Sequence, residues 1–196
     1  QLSAWKLREL QSGNDVFVTG TKLRVLATTV DRENNDNIEV VGLRAKAGYQ
    51  MGFFDPEFIG SLPKFQMPVL TTSYRKYRMF QIDGDSMLPI PDKSYVLAEY
   101  VENWNDIKDE MAYVVLTKQD GLVFKILLNE IKQKQQLIMR SLNPIYQDYV
   151  VKIGEVQEVW KFISYISTEL PEGGLTKERI ANILKEVQSV VVKMKD

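Results

Sequence analysis

Ser86 and Lys125 are the residues of this chain best suited to chemistry. The chain has no histidine and no cysteine, so Ser–His–Asp triads, histidine-ligated metals, thiolate nucleophiles and cysteine-bound zinc or iron–sulfur clusters are all excluded. A serine in such a chain has few possible activators, and a neutral lysine is the best known of them. Ser86 stands in Asp83-Gly84-Asp85-Ser86-Met87-Leu88-Pro89, where a strand runs out into a turn. Backbone amides after such a turn can face a developing oxyanion, with Asp85 and Met87 as its flanking supports. Lys125 lies in Gly121-Leu122-Val123-Phe124-Lys125-Ile126-Leu127-Leu128, a strand that is otherwise apolar. Alternation puts its side chain on the face of Val123 and Leu127. An ammonium there loses water, and its pKa falls. At an ordinary pKa of ~10.4 about one lysine in a few thousand is neutral at pH 7; a shift of ~3 units raises that to roughly a third. Such an amine can take the serine's proton and later return it to a leaving amine.

These two residues need a scaffold. Short strand signals recur at Lys22–Val30, Ile38–Leu43, Tyr77–Ile82, Tyr95–Tyr100, Ala112–Thr117, Val123–Leu128, Gln136–Arg140 and Glu155–Ile166. Turn-forming Asp83-Gly84, Gln119-Asp120-Gly121 and Asn143-Pro144 separate them. That spacing predicts a mainly β domain of antiparallel sheets, with the first two strands able to pair as a hairpin across Asp31–Asn37. Residues 45–72, rich in Gly, Pro and Phe, read as an irregular segment lying on the core, with Met51, Phe53 and Phe54 as its anchors. Lys132–Gln136 reads as a solvated hairpin loop. From Thr176 onward, Ile180, Ile183, Leu184, Val187, Val190, Val191 and Met194 recur at helical spacing and predict a C-terminal amphipathic helix. The expected organisation is a linker or N-terminal extension over 1–21, a strand-rich domain over 22–172 that includes the 45–72 segment, and the helix over 173–196.

Charge and composition restrict the partners. Of 196 residues, 44% are hydrophobic and 26% charged, with 25 basic against 26 acidic side chains. That is ordinary globular composition with no global pull toward nucleic acid or membrane. Apolar runs fall far short of the ~20 residues of a membrane span, and Lys6, Arg8 and Glu9 interrupt any signal-peptide core. A cytoplasmic location is expected. Tyr74-Arg75-Lys76-Tyr77-Arg78 mixes bases and aromatics as single-strand binders do, though a solvated strand accounts for it more simply. Asp83 and Asp85 lack the further acidic positions of a calcium loop. No P-loop or dinucleotide fingerprint is present, so no cofactor and no metal are expected.

The motif Gly84-Asp85-Ser86-Met87-x-Pro89, with a lysine in Val123-Phe124-Lys125 39 positions on (125 − 86), resembles the LexA/phage-repressor type of self-cleaving serine–lysine peptidase. Ala47-Gly48, 38 residues before the serine (86 − 48), matches that family's cleavage dipeptide. Asp106–Asp109, Tyr113–Val115 and Asn143–Trp160 extend the likeness over about residues 22–170. The resemblance implies a compact, dimerising, strand-rich domain that cuts its own Ala47–Gly48 bond, with Ser86 as nucleophile and Lys125 as base. It also implies a transcriptional repressor inactivated when a RecA–single-stranded DNA filament stimulates cleavage. Operator binding would come from an N-terminal helix-turn-helix domain, of which residues 1–44 carry no pattern. Two departures stand out: Pro91-Asp92-Lys93-Ser94 where Pro-Gly-Asp is usual, and Ile126 where arginine is common. Alternatives are a non-catalytic dimerisation module of a DNA-binding regulator and an error-prone-polymerase accessory subunit; a signal peptidase ranks last because no membrane anchor is visible.

Overall fold

The computed structural model describes residues 16–19, 24–33, 35–67, 75–169 and 184–185. Two short strands, β1 (Val16–Thr19) and β2 (Arg24–Ala27), pair with each other in antiparallel fashion. The other strands among the described residues join one sheet: β3 (Ile38–Val41), β4 (Lys64–Phe65), β5 (Tyr77–Gln81), β6 (Tyr95–Tyr100), β7 (Met111–Thr117), β8 (Gly121–Glu130), β9 (Gln136–Arg140), β10 (Tyr149–Lys152) and β11 (Val156–Ile166). Their order is β10-β9-β8-β7-β11-β6-β5-β3-β4. The fold is mainly β, as the strand spacing predicts. β6 and β9 have the predicted limits, and β5, β7 and β11 differ by one residue at one end.

The sheet is mixed, because β3 runs parallel to β5. The expected β2–β3 hairpin is reduced to a single bridge, Val30 to Asp36. β2 takes β1 as its partner instead, so Val16–Thr19, within the expected linker or N-terminal extension, forms a strand. The tight 31–35 turn, closed by Asp31 N donating to Asn35 O at 2.9 Å, reverses the chain, but β3 finds a longer apolar partner in β5.

Residues 45–67, the described part of the 45–72 segment, are more ordered than their glycines and prolines suggest. They hold α1 (Lys46–Gly52), α2 (Pro56–Ser61) and β4. α2 starts by rule: Asp55 caps it by accepting from Glu57 N, and Pro56 occupies the first turn, where no amide donor is needed. The 131–136 stretch is likewise not a loop throughout. Ile131–Lys134 makes one helical turn, α3, ended by Gln135 in the left-handed region. The predicted C-terminal helix lies outside the described residues except for Leu184 and Lys185, which are helical.

Both faces of the central sheet are covered. Val114, Leu116, Phe80, Val96 and Trp160 pack with Tyr49 and Ile59 of the helices on one face. Tyr113, Val115, Leu127, Leu137, Met139 and Val159 form a second cluster on the other. This is why β7 and β8 read as nearly continuous apolar runs. The β7–β8 turn needs its glycine: Gly121 sits at φ +67° and pairs with Thr117.

Candidate active site

Ser86 lies in the connection between β5 and β6 and is half-buried. Two tight turns shape this stretch, with Leu88 N donating to Asp85 O at 3.2 Å and Ile90 N to Met87 O at 3.0 Å. The amides of Ser86 and Met87 are not taken by those turn bonds. Met87 plants its side chain in the core at 2% exposure, whereas Asp85 stays at the surface. Gly84, at φ +90°, gives its amide to Asp92 Oδ1 at 2.7 Å. Asp92 also accepts from Lys93 N at 2.8 Å, so the unusual Pro91-Asp92-Lys93 stretch laces the far side of the serine loop. Lys93 itself takes φ 58°.

Lys125 comes from the middle of β8, paired with Tyr113 of β7. It is buried, with 8% of its surface exposed, and burial holds its pKa below the ordinary lysine range. The hydrogen bond that its ammonium makes among the described residues goes to Ser141 Oγ at 2.9 Å, rather than to Ser86 Oγ. The Tyr146 ring centroid lies 5.7 Å from Nζ, near the outer limit for a cation–π contact.

A cavity of about 100 Å³ collects these groups: Ser86, Met87 and Lys125 line it, with Asp83 and Lys46. Lys46 is the residue before Ala47. Burial lowers its pKa, an effect opposed by the nearby charges of Asp83 and Asp92. Ala47 and Gly48 lie in the first turn of α1; Ala47 is exposed and Gly48 half-buried. A helical peptide bond is folded away from the extended shape that a nucleophile needs for attack on a carbonyl. The structure thus brings serine, lysine and the approach to the dipeptide to one place, and it leaves the dipeptide itself wound up beside the cavity.

Three residues after β9 join the two halves of the site. Asn143 donates its backbone N–H to Ser86 O at 3.0 Å and its side-chain amide to Asp85 O at 3.2 Å. The Tyr146 hydroxyl donates to the Asp85 carboxylate, and Ser141 meets Lys125. In the sequence Asn143-Pro144 reads as a turn and Asn143–Trp160 as part of the family likeness, but neither gives Ser141 or Tyr146 a role, since a serine and a tyrosine in a loop carry no signal until the strand register is known.

A second polar cluster was also missed. Arg78 is wholly buried and not part of a solvated strand. It donates to Tyr49 Oη at 2.7 Å, Glu39 Oε2 at 3.2 Å and Ala27 O at 2.6 Å. Glu158, also buried, accepts from Tyr49 and, at 2.9 Å, from Trp160 Nε1. Among the described residues of the 45–72 segment, Tyr49 and Ile59 are wholly buried anchors in the core. Met51 and Phe54 are 80% and 53% exposed and do not enter the core, while Phe53 packs partly against it.

The family model described as Peptidase S24-like matches residues 39–163, more than half of the chain. The chain belongs to the Peptidase S24-like family. This is the peptidase family of LexA and phage-repressor C-terminal domains. The match begins in β3 and ends within β11, so it takes in both faces of the core, the serine turn, the lysine strand and the helix that carries Ala47-Gly48. No curated protein matches the sequence. Among the described residues no helix is long and apolar enough to cross a membrane.

Proposed function

We propose that this S24-like chain cleaves its own Ala47–Gly48 bond with Ser86 as nucleophile and Lys125 as general base. The observation that carries the reading is the shared cavity: a half-buried serine and a buried lysine of lowered pKa line it together with Lys46, one residue before the bond. For reaction the first turn of α1 unwinds and the dipeptide enters the cavity in extended form. Lys125, neutral, takes the proton of Ser86 Oγ as that oxygen bonds to the Ala47 carbonyl carbon. The amides of Ser86 and Met87 are suited to hold the resulting oxyanion. The intermediate collapses with breakage of the C–N bond, and Lys125 returns the proton to the Gly48 nitrogen. Water then releases Ala47 from the serine by the same base.

The family resemblance extends the proposal to biology: a homodimeric, cytoplasmic transcriptional repressor, joined to a DNA-binding helix-turn-helix domain and induced by a RecA–single-stranded DNA filament. Cleavage would separate the two parts and weaken operator binding by removing linked half-site contacts. A second reading, a non-catalytic dimerisation module, draws on the helical state of Ala47-Gly48 and the Lys125–Ser141 hydrogen bond. Mass spectrometry after alkaline incubation separates the two. The proposal expects fragments 1–47 and 48–196 from the wild type and neither from Ser86→Ala or Lys125→Ala; equal fragment yields from all three would refute the dyad.

A further inference from the structure

Lys125 is held by a neighbour that no catalytic assignment includes. β8 and β9 pair in antiparallel register with Ile126 opposite Arg140. One step further along that register, Ser141 falls across from Lys125, since both pairs sum to 266 (126 + 140 and 125 + 141). The Ser141 hydroxyl thus projects from the end of a paired strand, and it accepts a hydrogen bond from Lys125 Nζ at 2.9 Å.

We propose that Ser141 is the positioning residue of the dyad: its hydroxyl fixes the rotation of the Lys125 amine so that the amine's lone pair faces the cavity. The inference rests on the Ser86–Lys125 reading above and adds a part to it. A lysine side chain is long and rich in rotamers, and burial alone restrains the stem more than the head. A neutral amine has two N–H bonds and one lone pair. Committing one N–H to Ser141 Oγ removes free rotation about Cε–Nζ and leaves the lone pair for the proton of Ser86. Ser141 is fixed in turn by its place on the scaffold. Two residues later Asn143 binds the backbone of Asp85 and Ser86, so one short segment sets nucleophile and base against each other.

The test uses the full chain. Self-cleavage is followed from pH 7 to 11 in wild type, Ser141→Ala and Ser141→Thr, with Lys125→Ala as reference, and thermal melting is recorded for each. Positioning predicts that Ser141→Ala lowers the high-pH plateau rate by about 10- to 100-fold, the scale of a small misplacement, and that Ser141→Thr, which keeps the hydroxyl, restores it to within about threefold of wild type. A second measurement does not depend on cleavage. In uncut Ser86→Ala protein the Lys125 Nζ–H signal should be protected from exchange in nuclear magnetic resonance spectra, remain so with Ser141→Thr and be lost with Ser141→Ala. A wild-type plateau in Ser141→Ala, equal slowing by alanine and threonine, or an Nζ–H signal indifferent to position 141 would overturn the proposal. Failure of the underlying dyad looks different: Lys125→Ala would cleave as fast as wild type.

Discussion

The phenol of Tyr49 donates to the carboxylate of Glu158, a residue 109 positions away in the sequence. Tyr49 stands immediately after Gly48, so this contact ties the helix bearing the dipeptide to the longest strand of the sheet. Glu158 Oε1 already lacks a hydrogen-bond partner among the described residues, and burial raises the Glu158 pKa against the opposing charge of Arg78. Tyr49→Phe removes a donor from a buried acid without changing the packing much. A loss of about 2 kcal/mol is expected from the bond to a charged group, read as a lower urea midpoint at unchanged slope. An unchanged midpoint would mean that the hydroxyl contributes nothing to holding α1.

Arg78 is the cation of the same cluster and is fully buried between Glu39, Tyr49 and the Trp160 ring, whose centroid lies 4.8 Å from the guanidinium carbon. Arg78→Met leaves buried carboxyls uncompensated and should cost about 3–5 kcal/mol. Arg78→Lys should recover little of that, since one ammonium does not reproduce three directed contacts and a stacked plane. Chemical denaturation of the two variants checks this. A lysine variant as stable as wild type would show that charge alone suffices.

Lys125 gives two pH signatures with a common cause. Its folded-state pKa lies below the ordinary 10.5 through burial. The proposed self-cleavage should accelerate as pH rises and level off above the folded pKa, short of 10.5. Stability moves the same way. Between the folded and unfolded pKa values the unfolded chain binds more protons, so unfolding free energy rises with pH across that window. Lys125→Met should therefore gain on wild type most near pH 7 and lose that advantage toward pH 10. Denaturant melts at the two pH values test it, and a gap that widens with pH would contradict the burial of the charge.

Gly48 has a packing role separate from any cleavage. A Cβ at this position would sit 2.9 Å from Phe58 Cε2 and 3.2 Å from Cζ, so α1 and α2 approach closely because residue 48 has no side chain. Gly48→Ala should destabilise by about 1–3 kcal/mol through overpacking, and Phe58→Leu in the same chain should relieve part of that loss. A double-mutant cycle by thermal melting measures the coupling; purely additive effects would remove the contact as the cause.

Ser86, Lys125 and the absence of histidine and cysteine were legible in the sequence, because candidate groups announce themselves by residue type and by the elements on which they sit. Most strands were legible as well, since a period of two and β-branched content are local properties of Tyr95–Tyr100 or Gln136–Arg140. What stayed hidden depends on which segments meet. Ile38–Val41 pairs in parallel with Tyr77–Gln81 because a strand's partner is settled by burial across the whole sheet and not by the turn before it. The helix at 46–52 forms where Tyr49 can reach Glu158 and Arg78, although its glycines argue against a helix locally. Arg78 and Glu158 are fully buried, a state no single strand would tolerate until the other brings its opposite charge. Ser141 joins Lys125 only through the β8–β9 register, which fixes their alignment at hydrogen-bond precision. Residue type thus determined the candidate chemistry, whereas tertiary pairing decided how buried charges are compensated and which hydroxyl holds the amine.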